Sequence, residues 1–344
     1  MATIPNSQNF PQFSQADIIS EMKKVSNIDI SDFRFYPAIQ NRPNEIIKIE
    51  SEENGIVLTF GTVARKALLS YTHETSLHLY KPADATVDTL YLHINIWTDD
   101  IFRVVFSKEK KISNPFSGLP ENARMLIAKP EKVEFTLDET ENKITLTTSK
   151  TEITVDKKTT RISAKFIDGK EFYSQKKQDF RTGDIHDLAL ADSDNDYACF
   201  EALELESDEI IYGLGERFDS LTRNGRTVDF HNKDAVGTTS LRAYINIPFY
   251  LSTKGYGLFL NSGAKTDWQI ATTDLSALQF AVLDSQLDYF VIGGKTPKDI
   301  IKGYCSLTGF SKLPPLWSFG LWMSRNSYVS WDVVDDIAKK VREN

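Results

Sequence analysis

The sequence predicts a mainly β protein, in which a large antiparallel β-sandwich precedes a single strand–helix unit. Short runs of β-branched and aromatic residues follow one another from Glu45 to about residue 292, with turn dipeptides between them. Such spacing is typical of an antiparallel sandwich. After Pro314-Pro315 the pattern changes to one apolar run and one amphipathic helix. That change predicts the opening βα unit of a parallel sheet.

The composition is that of an ordinary globular protein, and it excludes several classes. The chain has 344 residues, of which 41% are hydrophobic and 26% charged. This length predicts two domains, or one large β domain with a further segment. A net charge of −8 disfavours a nucleic-acid partner, because such binding relies on clustered Lys and Arg. Cys199 and Cys305 lie far apart without CxxC spacing, so neither a disulfide framework nor a cysteine zinc site is expected.

Targeting and membrane signals are absent from the sequence. The N-terminal segment has neither a basic start nor a continuous apolar core, and no apolar stretch approaches the length of a membrane span. We therefore expect a cytoplasmic protein without a membrane partner. The five histidines show no metal-ligand spacing, so no metal ion and no cofactor are expected.

The elements follow in order along the chain. Residues 1–45 are polar and carry several prolines, which predicts a weakly ordered arm. A first block of strands is predicted at 56–60, 76–80, 92–97, 101–106, 132–137, 143–148, 152–155 and 161–166. A second block is predicted at 209–215, 244–252, 255–261, 268–271, 279–283 and 287–292. The dipeptides Asn54-Gly55, Asp168-Gly169 and Asn224-Gly225 tolerate the positive φ of tight turns.

Two helices are predicted near the C-terminus. Thr296 is the expected N-cap of the first, with Pro297 at its first position and Gly309 at its end. A strand at 316–323 and a second helix capped by Ser330 follow. The apolar stripe of that helix needs a sheet to cover it, and one strand is too little. We therefore expect the front part of a larger enzyme, with an arm at 1–45, a β-sandwich domain at 46–312, and the first strand and helix of an incomplete barrel at 313–344.

Several motifs invite a functional interpretation and favour a structural one. Gly213-Leu214-Gly215 resembles a dinucleotide loop, but position 218 is Phe and no helix pattern follows, so glycines at a strand end are the better interpretation. Adjacent acids such as Asp99-Asp100 point in different directions and make poor acid–base pairs. The segment 226–250 mixes carboxylates, amides and aromatic residues. It is either an ordinary hairpin excursion or a loop that reaches over a sugar site.

Five motifs occur in one order and spacing, and together they resemble glycoside hydrolase family 31, especially its bacterial α-xylosidase branch. They are Ile211 to Phe218, Arg223-Asn224-Gly225, His231 to Asp234, Asn246 to Tyr250 and Pro314 to Trp322. The resemblance is strong from about Glu209 to Asn344. It implies a galactose-mutarotase-like β-sandwich followed by a (β/α)8 barrel, and an α-linked oligosaccharide or glycoside as the binding partner. It leaves a homo-oligomer of the full-length protein open.

The resemblance also implies site residues. Asp234 matches a sandwich-loop Asp that helps to bind substrate in the family, and Trp322, Arg325 and Tyr328 fall after the first barrel strand, where barrel active sites lie. The family uses two Asp residues, a nucleophile and an acid–base, about 5–5.5 Å apart in a retaining enzyme. Neither of its nucleophile motifs, Asp-Phe-Gly-Glu or Trp-x-Asp-x-Asn-Glu, occurs here. No catalytic residue is therefore assigned, and the 344 residues alone are expected to be inactive.

Two alternatives to a hydrolase fragment remain open at this stage. One is a non-catalytic carbohydrate-binding or structural β-sandwich that kept the start of a barrel. The other is an aldose epimerase that acts in the sandwich itself, which would need a His and a Glu to converge in the sandwich cleft.

Overall fold

The computed structural model describes residues 39–67, 80–114, 124–130, 132–176, 188–193, 196–230, 232, 243–272, 274–322, 324 and 327–343. The chain divides into two compact units, one up to Gly309 and one from Phe310 onward. The first unit is a β-sandwich. Nineteen strands are formed by the described residues. They are β1 (Ile39–Glu52), β2 (Gly55–Ala67), β3 (Tyr80–Ala83), β4 (Thr89–Thr98), β5 (Ile101–Ser107), β6 (Thr136–Glu139), β7 (Lys143–Thr147), β8 (Thr151–Asp156), β9 (Ile162–Phe166), β10 (Glu171–Ser174), β11 (Ala189–Ser193), β12 (Asp196–Glu204), β13 (Ile211–Gly213), β14 (Arg226–Phe230), β15 (Phe249–Ser252), β16 (Tyr256–Leu260), β17 (Thr266–Ile270), β18 (Ala277–Val282) and β19 (Gln286–Gly293).

Fourteen of these strands form one antiparallel sheet that folds back on itself. Its order is β13-β15-β16-β19-β5-β4-β2-β1-β11-β12-β18-β17-β14, with β3 beside β2. Tyr250 on β15 contacts Trp268 on β17 at 6.0 Å between ring centroids, and Phe280 on β18 contacts Tyr289 on β19 at 5.8 Å. These strands are far apart in the sheet order, so two halves of the sheet face each other. The pairing of β1 with β2 shifts register between Pro43 and Glu45 and again between Ile46 and Lys48, and such bulges bend a strand.

The remaining strands form a five-stranded sheet with the order β10-β9-β8-β7-β6. Strands β8 and β9 bury every second residue, as expected for a sheet with one face on the core. Tyr173 on β10 contacts the rings of Phe102 and Tyr256 from the large sheet at 5.7 and 6.0 Å. The two sheets therefore share one aromatic core, which confirms the predicted β-sandwich class.

Helix α1 (Pro297–Thr308) has the predicted caps. The Thr296 hydroxyl accepts a hydrogen bond from the Asp299 backbone N–H, and the Asp299 carboxylate accepts one from the Thr296 N–H. This reciprocal pair is a capping box. Gly309 follows the helix at φ 104°. Ile300 and Leu307 are buried, and the predicted helix with its N-cap and its C-terminal glycine is confirmed.

The second unit corrects one prediction. Of the strand predicted at 316–323, the described residues 316–322 are not a strand: Leu316–Phe319 form a 3-10 helix, and Leu316 and Leu321 are about nine-tenths exposed. A parallel strand exists only through hydrogen bonds to neighbouring strands, and the described part of this unit contains none. Helix α2 (Trp331–Glu343) is formed as predicted, and the Val333 N–H donates to the Ser330 hydroxyl at 3.3 Å. Its apolar stripe is half-buried at Val333, Val334 and Ile337 and exposed at Ala338 and Val341.

Several strand boundaries differ from those predicted. Strand β1 begins at Ile39, inside the range assigned to the arm, and strands β10, β11, β12 and β14 are additional. Residues 244–248 precede β15 rather than belonging to it.

No helix formed by the described residues is both long and apolar enough to cross a membrane.

Candidate functional site

The turn after β13 has an unusual backbone, and its glycines explain how it packs. Gly213, Leu214 and Gly215 all have positive φ, at 116°, 62° and 86°. A Cβ on Gly215 would lie 2.1 Å from the Ile245 carbonyl oxygen, and one on Gly213 would lie 2.7 Å from the Phe249 carbonyl oxygen. Only glycine permits both the backbone angles and this approach. The structural interpretation of these glycines is therefore confirmed.

Arg223 holds this turn in place from below. Its side chain is 5% exposed, and its guanidinium donates to the carbonyls of Gly213 at 2.8 Å and Ser220 at 2.9 Å, and to the Asp219 carboxylate. The planar fork of donors on arginine suits several carbonyls at once. Asn224 continues the support, because its Oδ1 accepts from the Ile211 N–H at 2.9 Å. The turn at Arg223-Asn224-Gly225 thus stabilises strand β13 and the residues that follow it.

A chain of polar side chains links three loops on the first unit. Arg217 donates to the Asn246 Oδ1, and the Asn246 amide nitrogen donates to the Asn232 Oδ1. The Arg217 guanidinium also lies 5.5 Å from the centre of the Phe230 ring. Burial, and then the nearby Arg223 cation, lower the pKa of Arg217. These contacts fix the turn after β13 against the segment that precedes β15.

We call residues 213–218, Asn232 and 243–248 the loop platform. Its outer side chains include Phe218, which is 62% exposed, and Tyr244 and Ile245, which are more than half exposed. Asn232 is also exposed. Aromatic faces beside amide donors and acceptors are the groups that cover the C–H surface of a sugar ring and bind its hydroxyls. The loop platform therefore has groups that can contact a sugar, but its residues include one carboxylate, Glu216, and no pair of carboxylates suited to bond cleavage.

The sequence-predicted site residues fall in different parts of the chain. Trp322 lies in the second unit, where its indole N–H donates to the Ser318 carbonyl at 2.6 Å and 73% of the residue is exposed. Tyr328 lies in the same unit and is 45% exposed. Asp234 and Arg325 lie outside the described residues. The assignment of these four residues to one substrate site stays a prediction.

A buried carboxylate is the second feature with functional chemistry, and the sequence did not single it out. Glu201 is 2% exposed and accepts hydrogen bonds from the Tyr289 hydroxyl at 2.8 Å and the Gln175 amide at 2.7 Å. The Tyr173 hydroxyl lies 2.7 Å from that of Tyr289. Burial raises the pKa of Glu201 from 4.5 to about 7. Perturbed carboxyl groups are often catalytic, but this one is sealed between the sheets.

The epimerase alternative requires a histidine beside such a glutamate. His93 is the histidine that the structure describes, and its Nε2 lies 2.8 Å from the Lys110 carbonyl oxygen while its Nδ1 lies 3.6 Å from Glu52. His93 lies on β4 and Glu201 on β12, which are not neighbours in the sheet, and the contacts of His93 are to Lys110 and Glu52 rather than to Glu201. Nor do the described residues include a group of three or more His, Cys, Asp or Glu that could hold a metal ion.

Comparisons with known proteins agree with this architecture. The family profile of the glycosyl hydrolase 31 N-terminal galactose mutarotase-like domain matches residues 91–268. The chain belongs to this family. An α-xylosidase of Lactiplantibacillus pentosus is 47% identical over 124 residues, which are 36% of this chain and 16% of that protein. Alpha-glucosidase 2 of Bacillus thermoamyloliquefaciens is 29% identical over 261 residues, or 73% of this chain and 30% of that protein.

Solved structures share the fold. A cycloalternan-forming enzyme from Listeria monocytogenes, solved in complex with a pentasaccharide substrate, matches with a TM-score of 0.65 at 23% identity, over 88% of this chain and 26% of that one. A family 31 α-xylosidase from a soil metagenome, complexed with xylose, matches with a TM-score of 0.61 at 17% identity, over 86% and 40% of the two chains. The chain thus spans well under half the length of each of these relatives.

Proposed function

We propose that this chain is the N-terminal part of a retaining α-glycoside hydrolase that acts on terminal α-linked xylose or glucose. The observation that carries the proposal is the 47% identity over 124 residues to the α-xylosidase of Lactiplantibacillus pentosus. The family 31 N-terminal domain match supports it. We further propose that the protein works in the cytoplasm.

In this proposal the chain binds substrate and does not cleave it. Retention requires two carboxyl groups about 5–5.5 Å apart, and neither nucleophile motif of the family occurs in the sequence. Asp234, Trp322, Arg325 and Tyr328 are the proposed binders. The loop platform supports this role, since it presents amide and aromatic groups. The 344 residues alone are proposed to be inactive.

Hydrolysis of p-nitrophenyl α-D-xyloside and α-D-glucoside tests the proposal, with this chain and the full coding product assayed side by side. We expect turnover by the full product only. In the full product Trp322→Ala should raise KM by between about twofold and about tenfold, since loss of an aromatic contact costs about 0.5–1.5 kcal/mol. Trp331→Ala is the matched control, because Trp331 is also exposed and begins helix α2. Catalytic turnover by the 344 residues alone would refute the binder assignment.

The alternative function is a non-catalytic carbohydrate-binding or structural sandwich. It is favoured by the loop platform itself, which carries sugar-binding chemistry within the first unit. The coding sequence after Asn344 separates the two functions. An in-frame barrel with the nucleophile motif supports the hydrolase, whereas sugar binding without such a barrel supports the alternative.

A further inference from the structure

One cavity in the first unit has a charge pattern unlike that of the chain as a whole. It has a volume of about 430 Å³, within the range of small-molecule sites. The described residues of its lining include three cationic side chains and no carboxylate, although the chain carries a net charge of −8; one of these cations, Arg103, is paired with the Asp288 carboxylate, which lies outside the lining. The lining includes Arg103, Arg124, Leu126, Ile127, Lys129 and Asn261.

The floor of the cavity is a rigid group of three side chains. Arg103 donates to both oxygens of Asp288, through Nε and Nη2, at 2.7 Å each. Asn261 donates its amide N–H to the Asp288 Oδ2 at 2.7 Å, and its backbone N–H donates to the Asp288 carbonyl at 2.8 Å. Asp288 is 2% exposed. Because a bidentate pair fixes both partners, the floor is preorganised.

This arrangement sets the orientation of the Asn261 amide. A carboxylate only accepts hydrogen bonds, so the amide nitrogen of Asn261 must face Asp288 and the amide oxygen must face away. That oxygen accepts no hydrogen bond from any residue that the structure describes, and Asn261 is 2% exposed. A buried acceptor without a donor is destabilising. A hydroxyl group delivered from the cavity would satisfy it.

The walls are fixed as firmly as the floor. The Ser113 backbone N–H donates to the Gln286 Oε1 at 2.8 Å, and the Gln286 amide donates back to the Ser113 carbonyl at 3.0 Å. On the other side the backbone N–H groups of Ile127 and Ala128 donate to the Leu307 carbonyl at 3.0 and 3.1 Å. The cavity therefore belongs to the folded sandwich.

We propose that this cavity binds a monosaccharide-sized sugar acid, such as a hexuronate. A sugar hydroxyl would donate to the Asn261 Oδ1, and the carboxylate would be held by Arg124 and Lys129. The Arg103 Nη1, which donates to none of the described residues, would serve a further ligand oxygen. Leu126 and Ile127 would contact the C–H face of the ring. This site is independent of the proposed hydrolase function.

Titration calorimetry of the whole chain with D-glucuronate, D-glucose and acetate tests the proposal. We expect glucuronate to bind, and glucose and acetate to bind at least about tenfold more weakly, because each lacks one of the two recognised groups. Lys129→Gln should weaken glucuronate binding roughly threefold, as expected for an exposed charge. Lys132→Gln, also exposed but outside this cavity, should leave it unchanged.

Asn261→Ala should weaken glucuronate binding about fivefold, which corresponds to one neutral hydrogen bond. Thermal unfolding of this variant checks that it is folded. If it is not, the Lys129→Gln comparison still decides the result, because that side chain is on the surface. Absence of glucuronate binding by the unaltered chain, equal binding of glucose or acetate, or equal loss in the Lys129 and Lys132 variants overturns the proposal.

Discussion

Replacing Glu201 with Gln should remove a pH dependence from the stability of the sandwich. Burial raises the pKa of Glu201 to about 7 in the folded chain, against 4.5 for the ordinary carboxyl. The folded state therefore binds a proton more tightly than the unfolded state does. The contribution of Glu201 to the stability of the folded state is therefore greatest at low pH. It falls as the pH rises from about 4.5 through about 7, because the ionised carboxylate is disfavoured in the core.

The size of this effect follows from the two pKa values. A difference of about 2.5 pKa units corresponds to about 3.4 kcal/mol at full ionisation, and about 2.5 kcal/mol of this is lost between pH 5 and pH 8. In Glu201→Gln that loss should vanish. The Gln175 Oε1 accepts from the Ile162 N–H at 2.8 Å, so its amide nitrogen must keep facing residue 201. The amide oxygen of the new glutamine then takes the position of the Glu201 Oε2, and its amide nitrogen faces the Ala202 backbone N–H. Because both of these groups are donors, the substitution costs about 1 kcal/mol at every pH.

Urea unfolding followed by tryptophan fluorescence at several values between about pH 5 and pH 8 measures the effect. We expect the variant to be about as stable as the unaltered chain at pH 5 and about 2 kcal/mol more stable at pH 8. Glu171→Gln is the control, since Glu171 is exposed on the neighbouring strand β10. If the stabilities of the unaltered chain and Glu201→Gln change in parallel over this range, the reasoning about Glu201 is wrong.

Three further substitutions test the loop platform and helix α1, each measured as a change in the free energy of unfolding. Gly215→Ala should cost at least about 3 kcal/mol, because it combines a positive φ with a clash against the Ile245 carbonyl. Gly225→Ala is its control and should cost only about 1 kcal/mol, since Gly225 has φ 74° and no atom within 4 Å of the added Cβ. Equal costs for the two variants would contradict the packing argument. Arg223→Lys should cost about 1–3 kcal/mol, since lysine keeps the charge but cannot serve the same carbonyls together; an unchanged midpoint would show that charge alone suffices. Thr296→Ala should cost about 1 kcal/mol through loss of the capping box. An unchanged free energy of unfolding would show that the capping box does not stabilise helix α1.

The features that the sequence predicted correctly depend on residues that are close together in the chain. Helix α1 follows from Thr296, Pro297 and Gly309, and its capping box joins residues only three apart. The turn at Asp168-Gly169 needs a positive φ, which Gly169 supplies at 95°. The β class follows from runs of suitable residues, since each run is local even where its pairing is not.

The loop platform shows where local reasoning ends. Asn232 and Asn246 both belong to motifs that the sequence singled out, but their contact with each other and with Arg217 joins three separate loops. Strand β14 at Arg226–Phe230 was read as part of a polar loop, and it is a strand because β17 pairs with it. The polar composition of these segments predicts neither the contact between the three loops nor the pairing of β14 with β17.

The β-sandwich class, the caps of helix α1, the positive-φ turns at Gly169 and Gly225 and the family resemblance could all be read from the sequence, whereas neither Asn54 nor Gly55 has a positive φ. Only the tertiary structure decided that Leu316–Phe319 is not a strand, that Glu201 meets Tyr289 across 88 residues, and that Arg103 meets Asp288 across 185. The physical reason is that caps and turns are satisfied by near neighbours, whereas strand pairing and the burial of charge require partners whose position the whole fold sets.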